Sequence, residues 1–162
     1  MLTRPRTRDE VHALGLYHRG IVVWVLSQND ILLQQRSDQK DICPSLWDVS
    51  VAGHVGAWES YRAAAARETR EELGLRNVVL KKICAPHLNK QEYLGGEIKD
   101  YEYLTTFVCT SRTLGKLDKG EVQRADFFAI EKVKSWVAKN PAAFTPWFLA
   151  EWEFMKKFLR LS

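Results

Sequence analysis

The chain has 162 residues, 46% of them apolar, 11% aromatic and 27% charged, with a formal net charge of +4. That length suits one domain spanning 1–162 with a sizeable core, and it excludes a disordered tail. No apolar run of about 18 residues occurs, so no membrane association is expected, and the only dense basic patch (Lys156, Lys157, Arg160) is too small to suggest a nucleic-acid partner.

In chain order, the opening MLTRPRTRDEVH carries charge but no apolar stretch, so a secretory leader is not expected. Tyr17 to Leu26 is apolar and β-branched and reads as a strand; Ser27 to Asp30 is a turn, and ILLQQR is a second strand. Lys40 to Ser45, with Pro44, is a loop, and Leu46 to Ala52 a short strand ending at Gly53. Glu59 to Leu73 is alanine-rich and charged and stops at Gly74, which predicts a helix. Strands are expected at about Val78 to Pro86 and Tyr101 to Thr110, then a short one at Asp126 to Ile130 leading into a helix over Glu131 to Lys139. Pro146 opens a last helix, about 146–161, in which Phe148, Trp152, Met155 and Leu159 recur at helical spacing. Core packing accounts for that stripe; the aromatic helix also offers a surface for a homodimer. Strands with helices outside them make an α/β (α+β) sandwich. Cys43, Cys84 and Cys109 form no CxxC pair and no disulfide framework, so a reducing, cytoplasmic setting is expected.

The stretch Gly53 to Leu75, GHVGAWESYRAAAARETREELGL, carries the chemistry. On a helix, Glu68 and Glu72 lie about 40° apart and Glu71 about 60° to the other side of Glu68. Three carboxylates on one edge repel one another. Either the edge is a solvated acidic face, or it grips a hard divalent cation such as Mg²⁺ or Mn²⁺, which takes oxygen ligands and bridges them to phosphates. Arg67, four residues before Glu71, can hold one carboxylate, and the opposite edge (Ala66, Thr69, Leu73) can bury.

Together with its flanks the stretch matches G-x5-E-x7-R-E-U-x-E-E-x-G-U, the Nudix box, at Gly53, Glu59, Arg67, Glu68, Glu71, Glu72, Gly74 and Leu75. Seven fixed residue types, each at about 6% frequency, coincide by chance in fewer than about one chain in a million. Thr69 departs from the usual aliphatic but is isosteric with valine and can bond its hydroxyl to the preceding turn. The chain resembles the Nudix hydrolases. The resemblance implies their fold, a mixed β-sheet between helices. It also implies metal binding by Glu68, Glu71, Glu72 and the Gly53 carbonyl, with Glu59 and Arg67 as the pair that fixes loop to helix. Water attacks a phosphorus of a diphosphate in that family, with metal-assisted ionisation and a carboxylate accepting the proton. Glu72, Glu68 and Arg67 are the catalytic group so implied, with Glu102 and Glu121 as rival bases.

LLQQRSDQKDICPSLWDVSVAGH, and the chain down to AAFTPWFLAEWE, is also similar to type I isopentenyl diphosphate isomerase, a Nudix-fold enzyme. That likeness makes Arg36 and Lys40 diphosphate ligands, a role that their charge and fork geometry suit. It implies a second metal site of His18, His54, Asp100 and Glu102, with His12 one residue from the position of the remaining histidine. It also makes Trp147 a pocket residue. The isomerase needs a cysteine immediately before Gly-His, where this chain has Ala52, and it generally keeps only the last helix glutamate, where this chain has all three. Glu10-Val11-His12, Gly15 to Arg19 and Lys40 to Asp48 are similar to a hydrolytic group that includes Nudix domains found beside a peptidase in plants. The reading is therefore a Mg²⁺- or Mn²⁺-dependent hydrolase of a diphosphate linkage, in a nucleoside diphosphate derivative or related organic pyrophosphate. An isoprenoid diphosphate isomerase and a non-catalytic nucleotide-binding module are the alternatives. The tryptophans Trp24, Trp47, Trp58, Trp136, Trp147 and Trp152 offer stacking surfaces or core.

Overall fold

In the computed structural model residues 5–161 are described; the outermost ends of the expected 1–162 domain lie outside them. β1 (His18–Ser27) runs through the middle of one mixed sheet. It is antiparallel to β2 (Asp30–Arg36) and β4 (Val51–His54), and parallel to β7 (Ile98–Thr110). β3 (Trp47–Asp48) and β8 (Val122–Ala129) pair with β2; β5 (Lys81–Lys82) and β6 (His87–Tyr93) pair with β7.

Alternation along β1 divides the interior. Ile21, Val23 and Val25 join Ala64, Ala65 and Leu73 of α2 (Tyr61–Leu73) on one face. Val22 and Trp24 join Phe148, Trp152 and Met155 of α4 (Pro146–Leu159) on the other, together with Val133 of α3 (Ile130–Lys139). Both faces of β1 are covered, which is why its middle reads as a continuous apolar run. The stacked Phe148 and Trp152 rings meet the fully buried Trp24 at 5.5 and 6.2 Å. Burying each such side chain contributes roughly 2–3 kcal/mol.

Local chemistry sets the helix ends. The Ser60 hydroxyl accepts from the Ala63 N–H at the start of α2, and Gly74 closes it in the left-handed conformation. Thr145 caps α4, with Pro146 in its first turn. A further helix, α1 (Arg8–Leu14), starts with a capping box in which Thr7 and Glu10 bond each other's backbone.

Several expectations shift. The strand expected over Val78 to Pro86 shrinks to Lys81–Lys82, and β6 forms after it, where alternating polar residues had hidden a strand paired along β7. Leu46 to Ala52 divides into β3 and β4, and β8 starts at Val122 rather than Asp126. On α2, Thr69 and Leu73 are buried as expected but Ala66 is exposed; Ala64 and Ala65 take the inner face instead. The Thr69 hydroxyl donates to the Ala65 carbonyl at 2.6 Å, one turn back. Within the final stripe Phe148, Trp152 and Met155 are core, and the helix ends at Leu159.

Candidate active site

A cavity of about 260 Å³ opens where β1, β4 and β7 face the first part of α4. Its wall includes Glu68 and Glu72 from α2 and Gly53 and His54 from β4. Glu72 is 5% exposed and accepts a hydrogen bond from Gln34 Nε2 at 2.9 Å. Burial pushes its carboxyl well above the usual range, with Glu68 and Glu121 adding to the effect. Burial also raises Glu68, although Arg67 opposes the shift. Glu71 stands apart: its side chain is 47% exposed and does not line the cavity.

Arg67 ties the box together. Its guanidinium donates to both Glu59 oxygens at 3.0 Å, to Glu68 at 2.6 Å, to Glu71 at 3.1 Å and to the His54 carbonyl at 3.1 Å. The ion pair with Glu71 is the expected one; the bidentate pair with Glu59 binds the loop before α2 to the helix. Glu59 Oε2 also accepts from the Gly56 N–H at 2.9 Å. A Cβ at position 53 would meet the Glu68 carboxyl carbon at 2.5 Å, so only glycine lets Glu68 lie against the β4 backbone.

A second group shares the same wall. The parallel register of β1 and β7 sets His18 opposite Glu102, and β4 brings His54 opposite Gly20. α1 delivers the buried His12. Its Nε2 lies 3.3 Å from His54 Nε2, and His18 Nε2 lies 3.1 Å from Asp100 Oδ1. One donor atom each from His12, His18, His54 and Asp100 falls within 4.8 Å of all the others. Glu102 stands 3.7 Å from His18 and 3.8 Å from His54. Its side chain passes over Gly20, where a Cβ would run into Oε1. Burial drives His54 down to about 3, helped by His18, which keeps it a neutral imidazole. Burial and the Asp100 carboxylate push Glu102 up to about 8. His18 Nε2 and Asp100 Oδ1 are buried without an aligned hydrogen-bond partner among the described residues. Buried acids, imidazoles and polar atoms without an aligned partner, gathered at one spot, form a donor set that fits a divalent cation.

The third wall is cationic and aromatic. Arg36 Nε and Nη2 donate to the Ile42 carbonyl at 3.2 and 3.0 Å, and the guanidinium lies over the Trp147 ring at 4.9 Å. Asp48, fully buried, accepts from Trp147 Nε1 at 2.8 Å and Thr145 Oγ1 at 3.0 Å and pairs with Arg36 Nη1 at 3.4 Å. Lys40 pairs with Glu121, and both line the cavity.

The cavity therefore gathers Arg36, Lys40, Gly53, His54, Glu68, Glu72, Asp100, Glu102, Glu121 and Trp147 among the residues singled out from sequence. Glu59, Arg67 and Glu71 lie outside its lining, where Arg67 bonds both glutamates and Glu68, and His12 and His18 complete the second group. Gln34, Asp48 and Tyr93 were missed. Asp48 falls inside the Lys40–Asp48 motif, and its burial beside Trp147 is the signal only packing provides. Of the other tryptophans, Trp24 and Trp152 are core, Trp47 and Trp136 pack on it, and Trp58 is 95% exposed. No helix among the described residues is long and apolar enough to cross a membrane.

The model of the NUDIX domain matches residues 16–148. The chain is 32% identical over 152 residues to Nudix hydrolase 3 of Arabidopsis thaliana, covering 88% of this chain but 19% of that protein, so it spans about a fifth of the plant protein's length. It is 31% identical over 140 residues to an isopentenyl-diphosphate Delta-isomerase of Roseobacter denitrificans, covering 85% and 78% of the two chains. Among solved structures, the dihydroneopterin triphosphate pyrophosphohydrolase of E. coli superposes with a TM-score of 0.62 at 19% identity, over 90% of this chain and 99% of that one. A Deinococcus radiodurans protein gives 0.60 at 21% identity, over 75% and 73%. A mixed sheet between helices, with the whole box folded as loop, helix and loop around Arg67, agrees with those matches: this chain belongs to the Nudix family.

Proposed function

We propose that this Nudix protein is a divalent-metal-dependent pyrophosphohydrolase that cleaves the diphosphate linkage of a nucleoside diphosphate derivative or related organic pyrophosphate. The observation that carries the reading is that Glu68 and Glu72 face the same cavity as Arg36 and Lys40, so an acidic end and a cationic end share one space. Glu68, Glu72 and Gly53, all in the cavity wall, would hold Mg²⁺ or Mn²⁺, and Glu71 would join them only by turning away from Arg67; His12, His18, His54, Asp100 and Glu102 would hold a second ion. Bound divalent ions supply neutralisation of phosphate oxygens and a more acidic water.

The chain's own groups do the rest. Arg36 offers its guanidinium to the diphosphate while Ile42, Asp48 and Trp147 hold it in place, which lowers the entropy lost on binding. Lys40 adds a point charge. Gln34 holds Glu72 as a fixed ligand, whereas Glu68 has only Arg67 as a hydrogen-bond donor among the described residues, so we assign the proton of the attacking water to Glu68. Arg67 is a positioning residue that sets the Glu68 carboxylate against Gly53.

The resemblance to isopentenyl-diphosphate isomerases supports a diphosphate substrate but not double-bond migration. Ala52, in the cavity wall beside Gly53, carries no group able to move a proton. The test is a panel of nucleoside diphosphate sugars, dinucleoside polyphosphates, nucleoside triphosphates and isopentenyl diphosphate, assayed with Mg²⁺, with Mn²⁺ and with neither. Metal-dependent release of phosphate or pyrophosphate is expected. Isomerisation of isopentenyl diphosphate without hydrolysis of any panel member, or binding without turnover, would reject the reading.

A further inference from the structure

Away from the cavity, the segment between β5 and β6 lies against α4 and builds a second ordered set of groups. Cys84 Sγ lies 3.6 Å from His87 Nδ1, and His87 Nε2 lies 2.9 Å from Glu151 Oε1. The other Glu151 oxygen accepts from Thr106 Oγ1 at 2.7 Å. The Phe154 ring packs on the imidazole at 4.6 Å between centroids, tilted by 34°. None of Cys84, His87 and Glu151 lines the cavity.

Glu151 is 1% exposed and sits among the aromatic residues of α4, a costly place for a carboxylate unless it has a fixed partner. Its partners are His87 and Thr106, which together fix the imidazole plane. The hydrogen bond to Glu151 holds His87 up at about 9, so the ring is a cation at neutral pH and can donate toward sulfur from Nδ1. A sulfur facing an imidazole that is oriented by a carboxylate is the order of groups that makes a thiol nucleophilic. The other two cysteines lack it. Burial pushes Cys109 up to about 11, and it also raises Cys43 despite the nearby Arg36. Cys84 and His87 are both partly exposed, which sets the pair at the protein surface.

We propose that Cys84, His87 and Glu151 form a thiol-modification site that undergoes exchange with small-molecule disulfides of the glutathione disulfide class. The Cys84 thiolate attacks one sulfur of the disulfide. A bond from Cys84 Sγ to that sulfur forms as the reagent's S–S bond breaks, and the departing thiolate takes the proton held by His87. Cys84 is oxidised to a mixed disulfide, and the reagent is reduced to one free thiol and the half that stays bound.

The experiment incubates the full chain with glutathione disulfide and follows each cysteine by peptide mass spectrometry over time. The adduct should form on Cys84 about tenfold faster than on Cys43 or Cys109. His87→Gln should slow Cys84 by about tenfold and leave Cys43 unchanged, with an unaltered circular dichroism spectrum as the check on folding. Cys84→Ser should remove the fast phase. Modification of Cys84 no faster than of Cys43, or an undiminished Cys84 rate in folded His87→Gln, would overturn the proposal. Were His87→Gln not to fold, the comparison of the three sites within the unaltered chain would still decide it.

Discussion

Glu72→Gln separates the chemistry of the box from its packing. The glutamate is buried, takes one hydrogen bond from Gln34, and meets the further negative charge of Glu68 and Glu121. An amide of the same shape keeps the Gln34 bond through its oxygen and removes the anionic ligand. Turnover should fall by about a thousandfold, which corresponds to about 4 kcal/mol of lost transition-state stabilisation. Stability should move the other way. A carboxyl held above its unfolded value stabilises the fold only while protonated. That contribution is complete below about pH 4.5 and is lost as pH rises through the folded value. The glutamine does not titrate. In the absence of metal the variant should therefore match the unaltered chain at acid pH and melt at a higher temperature near and above neutrality. Adding Mg²⁺ or Mn²⁺ should raise the melting temperature of the unaltered chain more than that of the variant, which keeps only the histidine group. Phosphate-release assays and thermal melts across pH, with and without metal, measure both effects. Undiminished turnover would remove Glu72 from the mechanism, and equal metal stabilisation of both proteins would remove it from the metal site.

Arg67→Ala strips five hydrogen bonds and leaves Glu59 and Glu68 without their cation; a loss of about 2–3 kcal/mol in urea denaturation and at least about a tenfold fall in turnover are expected. Lys40→Ala breaks one partly exposed pair, so the melting temperature should hardly change while KM for a diphosphate substrate rises about tenfold. Gly53→Ala forces Glu68 off the β4 backbone and should abolish metal-dependent turnover in a protein that still melts cooperatively. The His87–Glu151 pair raises the histidine, so its contribution is whole below about pH 6.5 and vanishes as pH rises through about 9. The stability gap between the unaltered chain and His87→Gln, at most about 3 kcal/mol, should close over that window in denaturation curves.

The fold class, the helix of the box and the pairing of Arg67 with Glu71 could be read from the order of residues alone. They depend on short-range rules: the 3.6-residue turn that lines up Glu68, Glu71 and Glu72, the small residues along α2, and Gly74 at its end. The division of labour among those three glutamates could not. Only the packing of α2 on β4 decides that Glu72 is buried, that Glu68 lies over Gly53 and that Glu71 stays in solvent. α1 and β6 were open to sequence in principle, through the Thr7–Glu10 capping box and the alternation from His87 to Tyr93, yet both are short, and it is tertiary contact that stabilises them. The convergence of His12, His18, His54 and Asp100 depends on the parallel register of β1 and β7 and on where α1 docks. The same holds for Cys84, His87 and Glu151, where 64 residues separate histidine and carboxylate along the chain. Local sequence determines the longer elements and the chemistry they carry. Which side chains meet across the sheet is a property of long-range packing, because those contacts arise between segments that no local rule connects.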